Sequence, residues 1–152
     1  MEEIDQQGLL DMFSGYSKGE RVILGHFGTV QTLLALIYNT PVTVHLENQT
    51  YRNDNEIIRK VHLKAGDRVL CMAASQIFRD RNSPAVILDI VAGGLGLGQI
   101  IYKHNIPSKR HLLKVERDVQ TFTRQYVIEG PELYLEISEV FMRKPFMDIG
   151  WV

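Results

Sequence analysis

The segment LYLEISEVF, residues 133–141, alternates apolar and other residues with a period of two. Successive side chains of a strand point to opposite faces, so Leu133, Leu135, Ile137, Glu139 and Phe141 share one face. Such a row commits the end of the chain to a sheet with one covered face. The same parity applied to IIRKVHL, residues 57–63, groups Ile57, Arg59, Val61 and Leu63. Applied to RVLCMAASQIF, residues 68–78, it groups Val69, Cys71, Ala73, Ser75 and Ile77. Two of the three rows therefore contain one charge. The third is small in its middle, which leaves room beneath the sheet.

The other elements fit around these strands. A short helix is expected over Asp5–Phe13, then a loop over Ser14-Gly15-Tyr16-Ser17-Lys18-Gly19. Thr29 is placed to cap a helix whose Val30, Leu33, Leu34 and Ile37 form one apolar face, ended by Asn39-Thr40-Pro41. Val42, Val44 and Leu46 alternate as a strand, and Lys64-Ala65-Gly66-Asp67 reads as a hairpin turn between 57–63 and 68–78. Ser83 and Pro84 open a helix with Ile87, Ile90 and Val91 on its apolar face, and Gly93-Gly94 stop it. A short helix follows at Gln99–Lys103. Two long stretches of strand close the chain, Lys109–Val119 and Arg124–Met142, the second broken near Glu129-Gly130-Pro131. The pattern is α+β: one domain over residues 1–152, an antiparallel β-sheet with helices packed on one face.

Bulk properties exclude several classes. The chain has 152 residues and a formal net charge of -1, which gives no electrostatic reason to bind nucleic acid or an anionic membrane. No apolar run approaches the length of a membrane span. Cys71 is the only cysteine, so no internal disulfide forms, and MEEIDQQ is acidic where a secretion signal is basic. Both fit a cytoplasmic location. The five histidines are scattered without metal-ligand spacing, so no metal site is expected. GGLGLG, residues 93–98, lacks the spacing of a nucleotide loop and reads as a helix stop, although its backbone N–H groups are available to an anion. The tail FMRKPFMDIGWV is apolar, which fits packing on the core or on a second copy in a homo-oligomer.

Arg59 and Glu139 carry the functional signal. A buried charge costs several kcal/mol, roughly, unless it is paired or neutralised, and a guanidinium stays charged. One reading makes the two a structural ion pair. The other puts them in the wall of a cavity, with Arg59 gripping a carboxylate in bidentate fashion and Glu139 meeting a hydroxyl or a proton. Arg117 is in parity with Leu113 and Val115, so it either faces inward or forms a salt bridge at the strand end.

Four segments, GTVQTLLALIYNTPVTV, IIRKVHLKAGDRVLCMAAS, LGQII and GPELYLEISEVFM, resemble in order and spacing those of the chorismate pyruvate-lyase family, and more closely its chorismate-lyase-like domains. The likeness covers about residues 20–142. It implies an antiparallel sheet with a small enclosed site, and conversion of chorismate to 4-hydroxybenzoate and pyruvate without a cofactor. Arg59 matches the family arginine on the ring carboxylate. Glu139 matches the glutamate near the ring hydroxyl and ether. Val30 and Leu97 match backbone N–H groups that also hold the carboxylate, with Ala73 and Ser75 in the site wall. The ligand is then a small aromatic or cyclohexadienyl carboxylic acid. One departure stands out: Ala73-Ala74 replaces the family's Gly-Arg pair, and Arg117 is a candidate to stand in for the missing arginine. The same fold also resembles effector-sensing domains of bacterial regulators. About twenty residues precede the matched region, too few for a DNA-binding module, so non-enzymatic ligand binding ranks second.

Overall fold

A computed structural model describes residues 6–26 and 28–152. The helix start expected at Asp5 lies outside the described residues. In chain order the elements are α1 Gln6–Met12, α2 Lys18–Leu24, α3 Val30–Tyr38, β1 Val42–Tyr51, β2 Glu56–Ala65, β3 Arg68–Phe78, α4 Pro84–Ala92, α5 Leu97–Lys103, β4 Lys109–Arg117, β5 Thr121–Gly130, β6 Leu133–Met142 and α6 Arg143–Asp148. The strands form one sheet in the order β1-β2-β3-β6-β5-β4. All neighbours are antiparallel. The expected α+β sheet with helices is present. Among the described residues, no helix is long and apolar enough to cross a membrane.

Local chemistry explains most boundaries. Ser83 accepts a hydrogen bond from the Val86 amide, Pro84 opens α4, and Gly93 ends it in the left-handed region at φ 79°. The β2–β3 hairpin turns at Gly66, φ 60°. The segment Ser14–Gly19 is not wholly a loop. Ser17 and Glu20 form a reciprocal capping box, and α2 starts at Lys18. The inner row of β3 also differs by a step. A register shift lets Leu63 face Cys71 while Lys64 faces Val69, so Leu70 is the fully buried residue and Val69 is half-buried.

Helices cover one face of the sheet, in two groups. Leu24 of α2, Leu34 of α3 and Phe146 of α6 pack with Leu63, Cys71, Phe122 and Phe141. Ile87 and Ile90 of α4 and Ile100 of α5 pack with Ile57, Ile77, Leu135 and Ile137. Both groups rest on the strand rows that parity predicted. Arg59, Ser75, Arg124 and Glu139, all buried, belong to neither apolar cluster.

Candidate functional site

Two neighbouring rungs of the sheet build the site. On one, Val61 of β2, Ala73 of β3, Glu139 of β6 and Arg124 of β5 lie side by side. On the next, Arg59, Ser75, Ile137 and Tyr126 do the same. The two β3 residues are small and their neighbours large, so a hollow opens over β3. It is a cavity of about 80 Å³. A buried water needs roughly 10–15 Å³ by the same measure, so the space suits several waters or one small molecule. The starts of α3 and α5 close it from the helical side. Arg59, Glu139, Ala73, Ser75, Val30 and Leu97 all line this one cavity.

Arg59 is 2 % exposed. Its Nη2 donates to the Leu95 carbonyl, while Nε and Nη1 are buried without a partner. Burial pushes its pKa below the ordinary arginine value, with no carboxylate beside it to oppose the effect. A guanidinium remains charged under such conditions. The result is a buried cation with two unpartnered donor nitrogens at the wall of a cavity, an arrangement that costs energy until an anion arrives.

Glu139 does not pair with Arg59. Its Oε1 accepts from Arg124 Nε at 2.6 Å, and the two side chains are 3 % and 2 % exposed. Arg124 also reaches beneath α2: Nη1 donates to the carbonyls of Leu24 at 3.1 Å and His26 at 2.6 Å. The Leu24 carbonyl is an orphan at the C-terminus of α2, a favoured place for a cation, and His26 lies just past the cap residue Gly25. Burial alone would depress the Arg124 pKa, but the Glu139 carboxylate outweighs it and holds the group above its usual value. Burial, then the nearby Glu139 charge, raise the Tyr126 phenol, so it stays protonated at neutral pH. Burial and then Arg124 and Arg110 push His26 down, which favours a neutral imidazole.

Two further arginines, Arg124 and Arg110, belong to the site. Arg124 falls in an alternating row with Phe122, Tyr126 and Ile128, so the parity test that found Arg59 and Glu139 reaches it as well. Arg110 also lines the cavity, but a register shift between Leu112 and Lys114 breaks the alternation of β4 and hides it. Arg117, the candidate replacement, does not line the cavity. It forms the strand-end salt bridge, at 3.0 Å to the fully buried Glu20. Thr29 stands at the α3 cap position, yet its side chain makes no capping hydrogen bond. Among the described residues, no group of three or more His, Cys, Asp or Glu converges as a metal site.

The chain matches no family model, and no curated protein matches it at a significant level.

Proposed function

We propose that the protein is a lyase of the chorismate-lyase-like fold that converts chorismate to 4-hydroxybenzoate and pyruvate. The observation that carries this reading is the unpaired, buried Arg59 in the wall of a small cavity that Glu139 also lines. A carboxylate fits the planar fork of Arg59 and supplies the charge its surroundings lack. In this reading the backbone amides of Val30 and Leu97, residues that line the cavity, share that carboxylate. Glu139, ion-paired with Arg124, accepts a hydrogen bond from the ring hydroxyl.

The reaction breaks the bond from the ring to the enolpyruvyl oxygen. The neighbouring ring carbon loses its proton, and the enolpyruvyl methylene gains one to become the methyl group of pyruvate. Aromatisation supplies much of the driving force. The protein's part is to fix one conformer of the acid and to set fixed charges where the departing oxygen becomes negative. Glu139 already spends one carboxyl oxygen on Arg124. Its role in this reading is therefore orientation and electrostatics.

The test mixes purified protein with chorismate and measures 4-hydroxybenzoate and pyruvate. Stoichiometric products are expected, and Arg59→Ala should cut the rate by orders of magnitude. No product at high protein concentration would overturn the reading. The Glu139–Arg124 pair also favours a second reading, because a carboxylate already engaged suits binding without turnover. Saturable binding of 4-hydroxybenzoate together with intact chorismate would select that alternative.

A further inference from the structure

We propose that Arg110 grips a second carboxylate, so that the cavity selects a diacid over a monoacid. The inference rests on the reading of Arg59 as the clamp for the first carboxylate. It supplies the cation that Arg117 does not.

Charge comes first. The charged side chains lining the cavity are Arg59, Arg110 and Glu139. Arg124 neutralises Glu139 from behind. Neither Arg59 nor Arg110 forms an ion pair among the described residues, so two positive charges address the same space uncompensated. Tyr126 does not offset them, because burial keeps its phenol protonated. A single carboxylate would satisfy one charge and leave the other.

Placement comes second. Arg59 lies on β2 and Arg110 on β4, with β3, β6 and β5 between them. The two guanidinium groups thus approach the cavity from different sides, and a ligand that satisfies both carries two separated anionic groups. Their environments also differ. Arg59 is fully enclosed, whereas Arg110 is partly exposed. That sets a deep carboxylate on Arg59 and an outer one on Arg110. The guanidinium carbon of Arg110 lies 5.5 Å from the Tyr126 ring centroid. A cation over an aromatic face is held without using its N–H donors, which stay available for a carboxylate. On chorismate, the outer carboxylate is that of the enolpyruvyl arm.

The experiment compares wild type, Arg110→Gln and Arg110→Lys by calorimetry and by steady-state kinetics. The probes are chorismate, 4-hydroxybenzoate, and the non-eliminating pair 3-(carboxymethoxy)benzoate and 3-ethoxybenzoate. Wild type should bind the diacid at least about tenfold more tightly than its monoacid partner, and Arg110→Gln should erase that preference. Arg110→Gln should raise the KM for chorismate by a similar factor while the Kd for 4-hydroxybenzoate moves less than about twofold. Arg110→Lys, which keeps the charge, should recover part of the loss. Equal loss of both acids in Arg110→Gln, or no diacid preference in wild type, would overturn the proposal. A diacid preference without chorismate turnover supports Arg110 and removes the lyase reading. Turnover without the preference does the reverse.

Discussion

At the scale of single residues, two buried arginines in one small region call for opposite outcomes. Arg124 is embedded in structure: it pairs with Glu139 and holds carbonyls below α2. Removing Glu139 leaves that charge unpaired, so Glu139→Leu should cost about 3–5 kcal/mol in urea unfolding, as broken buried pairs do. The double variant Arg124→Met/Glu139→Leu should recover much of the loss, since an apolar pair of similar volume replaces the ions. Equal stability of the single and double variants would contradict the pairing. Arg59 has two donors without partners and no counter-charge. Arg59→Met should therefore leave the free protein as stable as wild type, or more so, while abolishing binding of 4-hydroxybenzoate. A large loss of stability would show that the arginine serves the fold. Parity makes Arg59 and Glu139 legible in the sequence, because each interrupts an apolar row. It does not tell which cation the glutamate meets. That follows from the β5–β6 hairpin, whose register sets Arg124 directly opposite Glu139; the β3–β6 pairing, which brings Arg59 into the same region, is the one that joins segments far apart in the chain.

At the scale of elements, α2 shows how a glycine misleads. Gly19 sits inside the first turn of a helix, and glycine there argues for a loop. The stronger local signal is Ser17 with Glu20 three residues later, the spacing of a capping box. The structure gives the reason for the glycine. Trp151 packs on α2 and donates Nε1 to the Gly19 carbonyl at 3.2 Å, and a Cβ on Gly19 would overlap the Trp151 carbonyl oxygen. The apolar tail thus packs on its own core, by a contact spanning nearly the whole chain. By helix propensity alone Gly19→Ala should stabilise by about 1 kcal/mol. The overlap is with backbone, which yields less readily than a flexible side chain, so the net effect should be destabilising by about 1–3 kcal/mol in urea unfolding. A gain in stability would mean that the tail shifts freely. The β4 bulge is the other illegible element. One extra residue puts Arg110 and Leu112 out of phase with Val115 and Arg117, so the parity of Val115 does not reach Arg110, while Arg117 shares the covered face and meets Glu20 there instead of the cavity.

At the scale of the whole molecule, the cavity sits where the small Ala73 and Ser75 of β3 face the starts of α3 and α5, and its wall carries the buried charges Arg59 and Glu139. The same economy of buried charge sets the response to acid. Burial alone would raise the Glu20 pKa, but hydrogen bonds from Ser17 and the Arg117 charge hold it below the usual carboxylate value. Asp89 is lowered by His104 and Lys103, Asp118 by the amides of Gln120 and Thr121, and Asp148 by Arg68. His26 is lowered by burial and then by Arg124 and Arg110. Each of these groups binds its proton less readily in the folded chain than in the unfolded one. Between the two pKa values the unfolded state holds more protons, so stability rises with pH in that window. It is fully present above the unfolded values and is lost as pH falls through the folded ones. Urea unfolding should therefore give a plateau near neutral pH. A shallow decline should begin below about pH 6.5 as histidine titrates in the unfolded chain, and a steeper one below about pH 4 from the carboxylates. Glu20→Gln should lower the plateau and flatten the acid limb, because it removes one depressed carboxylate and strands Arg117. A wild-type stability that holds constant down to pH 3 would mean that these charges contribute nothing to the fold.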